Sequence, residues 1–194
     1  RAFKKAVKVN PKILWGHYSL ARIYFIKKNY SRALNEIDNE LKYNPENLRS
    51  LYVRGLIYGY RNQAGDLEKA EADFRRFTLW APKEWAGYND LAWILSKQRK
   101  YEEAEKIIKK AFKEISAAET NSWFWNALGV AQLNLKKYSI AADSFKKAKT
   151  LAENLTLNDW RRAYPGNSPE SAESGLSAFI SATGENLRRA LNKK

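Results

Sequence analysis

The chain has 194 residues, of which 35 are lysine or arginine and 21 are aspartate or glutamate, so its formal net charge at neutral pH is +14. It contains one histidine and no cysteine, which excludes disulfides, thiolate catalysis and cysteine-based zinc sites. This length predicts one elongated domain with a continuous core, and no apolar run approaches the roughly 18 residues that cross a bilayer.

The first predicted element is a helix over residues 1–12. Its opening residues, RAFKKA, match the second helix of the helix pairs that follow along the chain. A second helix without its first helix exposes an apolar face. We therefore expect residues 1–12 to be half of a repeat, and the chain to be a fragment or a processed product of a longer protein.

A period of 34 residues begins after this helix. Ala21 recurs as Gly55 and Tyr24 recurs as Tyr58, each 34 positions later. A fixed period of this length is typical of stacked two-helix units, each of which buries its apolar face only against its neighbours. Small residues let the two helices of a unit approach closely, and Pro45 ends a second helix because proline lacks the N–H group.

Four copies of the pattern align. Each has a small residue, alanine or glycine, within the first helix and an alanine near the start of the second helix. They consist of His17, Leu20, Ala21, Tyr24, Ala33, Ile37 and Pro45; Leu51, Arg54, Gly55, Tyr58, Ala70, Phe74 and Pro82; Tyr88, Leu91, Ala92, Leu95, Ala104, Ile108 and Ser116; and Trp125, Leu128, Gly129, Gln132, Ala141, Phe145 and Glu153.

This pattern resembles the tetratricopeptide repeat family, whose units read W-x2-L-G-x2-Y, then A-x3-F, then P. The resemblance covers residues 1–154 and implies an all-α fold, a right-handed α-solenoid of antiparallel helix pairs. The full repeats are expected over about residues 13–46, 47–83, 84–120 and 121–154.

Two insertions interrupt the period. Ala33 and Ala70 are 37 residues apart instead of 34, and so are Ala104 and Ala141. The extra residues fall near 62–66 and near 116–120. Each insertion is either a tolerated longer loop, since loop length costs little free energy, or a loop that contacts a partner.

The repeat pattern fades after Glu153, and a different element closes the chain. Residues 155–168 are predicted to be a linker. Ser168 then resembles a helix N-cap, with Pro169 at the first helical position. The apolar positions that follow recur at three- and four-residue steps, so residues 169–194 are predicted to form a capping helix on the last repeat. The alternative is a helix that reaches into a neighbouring copy and forms a dimer.

Catalysis has little support in this sequence. His17 is the single histidine, and it occupies the place where the family has a core tryptophan, so a packed side chain is the expected role. No phosphate-binding glycine motif follows a predicted strand. The chain is therefore predicted to be no enzyme, and to hold no metal and no cofactor.

The resemblance also implies where a ligand binds. In this family the first helices of successive repeats line the inside of the superhelix. Mapping that lining predicts a mainly aromatic groove that binds another protein or a peptide segment, because exposed aromatic residues with nearby arginine are typical of binding hot spots. The predicted groove residues are Trp15, Tyr18, Arg22, Phe25, Arg49, Tyr52, Tyr60, Asn89, Trp93, Lys97, Trp123 and Asn126. The same mapping includes Val53, Leu56, Asp90, Val130 and Asn134, and the alternative for any of these residues is packing against the next unit.

One known ligand of the family can be tested on the residues. Many family members grip the C-terminal carboxylate of a chaperone with lysine, asparagine and arginine at fixed inner positions. Starting in the first unit, those positions hold Tyr18, Arg22, Val53, Ala86 and Asp90. Asp90 would repel a carboxylate, so a chaperone-tail receptor is not expected.

Most of the excess positive charge is predicted to lie away from the groove, on second helices and turns. The residues are Lys27, Lys28, Arg32, Arg75, Arg76, Lys106, Lys109, Lys110, Lys113, Lys136, Lys137, Lys146 and Lys147. Such a face either keeps the array soluble or binds an anionic partner, nucleic acid or an acidic membrane surface. The leading hypothesis is a non-catalytic protein-binding scaffold. The alternatives are this electrostatic binding and self-association through the open half repeat.

Overall fold

The computed structural model of the chain describes residues 2–163 and 172–193, and it is all-α. Within these residues no strand is present, and no helix is both long and apolar enough to cross a membrane. The helices are α1 (Ala2–Val9), α2 (Gly16–Ile26), α3 (Tyr30–Tyr43), α4 (Leu48–Arg61), α5 (Asp66–Trp80), α6 (Trp85–Lys97), α7 (Tyr101–Glu114), α8 (Ser122–Asn134), α9 (Tyr138–Glu153), α10 (Leu157–Ala163) and α11 (Ala172–Leu191), with one turn of 3-10 helix at Ala118–Thr120.

The described residues divide into two compact units. Unit 1 contains residues 2–81 and unit 2 contains residues 82–163 and 172–193. In unit 1, α2 packs on α3 and α4 packs on α5, while α3 contacts α4 and α1 contacts α2. In unit 2, α6 packs on α7 and α8 packs on α9, while α7 contacts α8. Each unit is therefore a stack of helix pairs.

The small residues of the pattern lie where two helices of a pair touch. A Cβ atom added to Gly55 would lie 2.9 Å from Cζ of Phe74, and one added to Gly129 would lie 2.7 Å from Cδ1 of Phe145. Both distances are too short for carbon atoms in contact, so only glycine lets the phenylalanine ring of the second helix lie flat on the first helix. The same contact recurs in both units.

The turn inside three of the four repeats has one backbone conformation. Lys28, Arg99 and Lys136 adopt left-handed φ angles of 55°, 61° and 60°, each directly after the first helix and its cap. The next residue then donates its N–H to a carbonyl five residues back, as Lys100 does to Leu95. This closes the helix end in the way that a glycine usually does, here with basic residues.

The C-terminal segment contains two helices. α10 lies within residues 155–168, which the sequence analysis assigned to a linker, and it contacts α11. α11 packs on α9 and also contacts α8, and its residues Leu187 and Ala190 lie against Ala142 and Phe145. The proposed N-cap Ser168 and the helix start at Pro169 lie outside the described residues.

Candidate functional site

In unit 1, the first helices α2 and α4 lie side by side and run in the same direction. Two contacts show this. At their N-terminal ends the Arg49 guanidinium lies 5.7 Å from the ring centroid of Trp15, and at their C-terminal ends the rings of Phe25 and Tyr60 are 5.6 Å apart. α2 has 11 residues, which corresponds to a length of roughly 16 Å. We call the surface defined by Trp15, Tyr18, Arg22, Arg49 and Tyr60 the open face.

Trp15, at the start of the open face, has an unusual backbone. Its φ angle is 70°, in the left-handed region, although it is not a glycine. A bulky residue in this region costs roughly 1–2 kcal/mol, so other contacts must hold it there. The Trp15 N–H donates to Oε1 of Glu40 over 3.1 Å, and the Trp15 ring remains 40% exposed. The structure thus fixes the backbone of Trp15 and presents its side chain.

Glu40 is the residue that holds this end of the open face. Its side chain is fully buried in α3 and accepts four hydrogen bonds. Two come from the backbone at the start of α2, from Trp15 and from Tyr18, and two come from the side-chain amides of Asn44 and Asn47. Donors around both oxygens compensate for burying a carboxylate. The sequence analysis did not identify Glu40.

The cations of the open face lie on aromatic rings. Arg22 lies 5.7 Å from the ring centroid of Tyr18, as Arg49 does from that of Trp15. α2 and α4 contain no aspartate or glutamate. Among the described residues, the exposed Arg49 forms no ion pair within 4.0 Å. Arg49 therefore adds to the aromatic surface of the open face a positive charge that no acidic residue of α2 or α4 balances.

The other two arginines of α4 point to acidic residues outside the open face. Arg54 forms two hydrogen bonds with the carboxylate of Asp73, at 2.8 Å each, and a third with Asp38. The hydrogen bonds that Arg54 donates to Asp73 raise the pKa of Arg54 above its ordinary value, against the opposing effect of burial. Arg61 forms a similar bidentate pair with Asp66. These two arginines stabilise the helix pair of the second repeat.

Three further unit 1 positions from the groove mapping lie inside the fold. Phe25 is 5% exposed, and Val53 and Leu56 are each 3% exposed. Tyr52 is half-buried and packs on Phe77 of α5, with ring centroids 5.1 Å apart. These side chains support the open face from beneath.

In unit 2 the mapped positions on α6 carry an aromatic residue and a cation. The Lys97 ammonium lies 4.9 Å from the ring centroid of Trp93. Partial burial of Lys97 lowers its pKa below the ordinary value. The Asn89 amide donates to Oδ1 of the buried Asp90 over 3.0 Å, so this asparagine is already engaged within α6.

The mapped positions on α8 are covered by the C-terminal helices. The Trp123 ring stacks on Phe179 of α11 with centroids 5.6 Å apart, and it also contacts Trp160 of α10 at 5.9 Å. The Asn186 amide of α11 donates to Oδ1 of Asn126 over 3.2 Å. In this unit the chain itself occupies the surface of the first helix.

Several basic residues of the second helices and turns are paired with acidic residues. Lys109 and Lys137 both contact the carboxylate of Glu105, at 2.6 and 2.7 Å. Burial alone would raise the pKa of Glu105, but the hydrogen bonds from the two lysines lower it below its ordinary value. Arg75 pairs with Glu71 in the same way on α5. Part of the predicted basic face therefore has its charge balanced locally.

The single histidine is packed among neighbouring side chains. His17 is 9% exposed, its Nδ1 lies 2.7 Å from Oε2 of Glu36, and its ring stacks on Tyr43. Within residues 2–163 and 172–193, no group of three or more His, Asp or Glu side chains could hold a metal ion.

Comparison with known proteins identifies a family for two of these helix pairs. The family model described as tetratricopeptide repeat matches residues 86–115 and 124–155. No curated protein sequence gives a significant match to the chain. The two matched segments are the helix pairs α6–α7 and α8–α9 of unit 2.

Solved structures with the same fold cover nearly the whole chain at low sequence identity. MamA 41-end from Desulfovibrio magneticus RS-1 is 14% identical, with 91% of this chain and 92% of that chain covered and a TM-score of 0.62. PilW, a widely conserved type IV pilus biogenesis factor, is 19% identical, with 97% and 87% covered and a TM-score of 0.67. YrrB, a TPR protein with an unusual peptide-binding site, is 15% identical, with 100% and 93% covered and a TM-score of 0.65. The resemblance to tetratricopeptide repeats and the all-α helical-repeat fold are both confirmed.

Proposed function

We propose that this tetratricopeptide repeat chain is a non-catalytic protein-interaction scaffold, and that the open face of unit 1 binds a short segment of another protein. The fold supports the first part, because stacked helix pairs offer an extended surface for binding another molecule. The open face supports the second part, because aromatic residues and arginine are the residue types that dominate binding energy in protein interfaces.

The observation that carries the proposal is the state of Trp15. A strained backbone persists only where the surrounding structure enforces it, and such strain is concentrated at functional sites. Here the enforcing group is the buried Glu40 carboxylate, which accepts the Trp15 N–H. The result is an indole that is 40% exposed and lies under the Arg49 guanidinium. Packing in the core does not explain this arrangement, whereas contact with a partner does.

The chemistry of the open face defines the segment that fits it. Arg49 favours a carboxylate, and the rings of Trp15 and Tyr60 favour apolar or aromatic side chains. A surface roughly 16 Å long accommodates about five residues of an extended peptide. The bound segment is therefore a short acidic stretch that also carries an apolar side chain.

Selection from a library of displayed random peptides tests this function. Peptides that the wild-type protein selects should be rich in acidic residues with an apolar neighbour. Their affinity should fall about tenfold or more with Trp15→Ala or Arg49→Ala, since a hot-spot residue contributes about 2 kcal/mol or more.

Unit 1 also offers a matched control for this experiment. Arg76 lies 4.2 Å from the ring centroid of Trp80 on the second helix α5, and Trp80 is 43% exposed. Trp80→Ala and Arg76→Ala remove the same chemistry from a different surface and should leave the affinity unchanged. Selected peptides that bind Trp15→Ala and Arg49→Ala as tightly as wild type would refute the proposal.

A second candidate is self-association through α1. None of the residues of α1 is buried, and Phe3 and Val9 are 46% and 87% exposed. An apolar surface of this kind can pair with a second copy. Sedimentation across a wide concentration range tests it, since a molecule that stays monomeric throughout does not associate in this way.

A further inference from the structure

We propose a second ligand site, in unit 2, that binds an aromatic side chain next to a carboxylate. It is a cavity of about 380 Å³ between the loop of residues 115–121, the start of α6, the start of α8 and helix α10. Cavities that hold ligands start at roughly 300 Å³, so the volume suits one bulky side chain. The site is independent of the open face, because none of its lining residues belongs to unit 1.

Two indole rings form the apolar wall of the cavity. Trp85 and Trp123 both line it, with ring centroids 5.0 Å apart and planes at 30°. Trp123 also contacts the rings of Trp160 and Phe179. These contacts hold it in place, so the wall exists without a ligand. Aromatic rings gain more from pairing with each other than burial of their area alone provides, so this wall favours an aromatic occupant.

The three-residue insertion near 116–120 forms another part of the lining. Ala117 adopts a left-handed φ of 58°, and Ala118 behind it is only 4% exposed. The Thr120 N–H donates to the Ala117 carbonyl over 3.0 Å, and the indole N–H of Trp125 donates to the Glu119 carbonyl over 2.9 Å. These contacts fix the insertion as a wall of the cavity.

One cation and one carboxylate line the cavity, and they differ in their contacts. The Asp159 carboxylate accepts hydrogen bonds from both the backbone N–H and the hydroxyl of Thr156, at 2.9 and 2.6 Å. These bonds lower the pKa of Asp159, so it stays charged. Arg162 is exposed, and its charge also acts on Asp159, but within the described part of the chain it has no ion pair within 4.0 Å. Arg162 is therefore the group that can receive a carboxylate from a ligand beside the indoles.

The indole N–H signals of the seven tryptophans give a direct test by NMR. The probe is N-acetyl-phenylalanine, which carries one aromatic ring and one carboxylate, and its primary amide is the uncharged comparison. We expect the acid to shift the Trp85 and Trp123 signals saturably while the Trp15 signal stays in place. The amide should bind about tenfold more weakly, because it lacks the charge-assisted hydrogen bonds to Arg162.

Arg162→Gln should reduce the affinity for the acid to that for the amide. Its neighbour Arg161 is also exposed and does not line the cavity, so Arg161→Gln should bind the acid like wild type. Absence of a saturable shift, or equal affinities for acid and amide, would overturn the proposal. Trp15→Ala and Arg49→Ala should not change this binding, so failure here is distinguishable from failure of the open face.

Discussion

Units 1 and 2 are built from the same helix pairs but present different first-helix surfaces. In unit 1, Trp15 and Tyr60 remain 40% and 50% exposed. In unit 2, Trp123 of α8 is stacked on Phe179 and contacts Trp160. The pattern of a repeat specifies which side chains face away from its own second helix. It does not specify what covers them, because that depends on the segment that packs next.

The largest expected effect follows from this difference in covering. Trp123→Ala removes a ring that contacts Trp85, Trp160 and Phe179, so it should destabilise unit 2 by about 3 kcal/mol. Urea unfolding at neutral pH measures the change. The signals of the remaining indoles report on each unit separately.

Trp15→Ala is the matched substitution in unit 1. The Trp15 ring contacts Tyr18 and Arg49, and Trp15 is 40% exposed, so its loss should cost less than about 1 kcal/mol. Equal losses for the two substitutions would mean that Trp15 is a packing residue, and would remove the contrast between the units.

The two insertions differ in the same way as the two surfaces. The first, near 62–66, is closed by its own contacts: Arg61 forms a bidentate pair with the buried Asp66, and the Gln63 N–H donates to the same carboxylate over 2.9 Å. The second, near 116–120, lines a cavity. One insertion therefore completes the fold of its repeat, while the other leaves space beside it.

The contacts of Asp66 predict a pH dependence. Hydrogen bonds from Arg61, and a further one from Gln63, hold the pKa of Asp66 below its ordinary value although burial opposes them. The charged form is thus favoured in the folded state. The stability that it contributes is present above the ordinary value of about 3.9 and is lost as the pH falls through the lower folded pKa.

Asp66→Asn should therefore destabilise unit 1 by about 2 kcal/mol at pH 7, since it removes a charge-assisted pair and weakens the contact to Gln63. Urea unfolding at a series of pH values should show this difference shrinking below about pH 4. Glu185→Gln is the control, because Glu185 is an exposed carboxylate that pairs with Arg188 only at the surface of α11. A loss for Asp66→Asn that is independent of pH would contradict the assignment.

The sequence predicts the repeat fold well, because the features that define it are local and periodic. Gly55 and Gly129 occupy the places where a phenylalanine ring touches the first helix, and Pro45 and Pro82 follow the ends of α3 and α5. The candidate sites are harder to predict. Glu40 is one acidic residue among several on α3, and nothing in its spacing indicates that four N–H groups converge on it.

The packing of α10 and α11 on α8 is also not indicated by any periodic pattern in the sequence. Trp160 lies in a segment whose composition predicts a linker, yet its ring packs directly on the backbone of Gly175, where an added Cβ atom would be 2.9 Å away. The sequence indicates only that Gly175 weakens a helix. In the structure α10 packs on α11, and only a glycine at position 175 leaves room for the Trp160 ring. The contact between Trp160 and Gly175 helps to hold Trp160 against Trp123.

The smallest expected effect is a change in stability on substituting Ala117, a residue of the second insertion. Ala117 adopts a left-handed φ of 58°, which glycine adopts at no steric cost, so Ala117→Gly should raise the stability of unit 2 by up to about 1 kcal/mol. Ser116→Gly is the adjacent control: Ser116 has no left-handed angle, so added chain freedom should lower stability by a few tenths of a kcal/mol. Thermal unfolding of both variants gives the comparison. If Ala117→Gly is also destabilising, the cavity wall carries no strain that glycine relieves. The second insertion would then resemble the first, in which Asn62 and Gly65, two residue types that tolerate this region, adopt the left-handed angles.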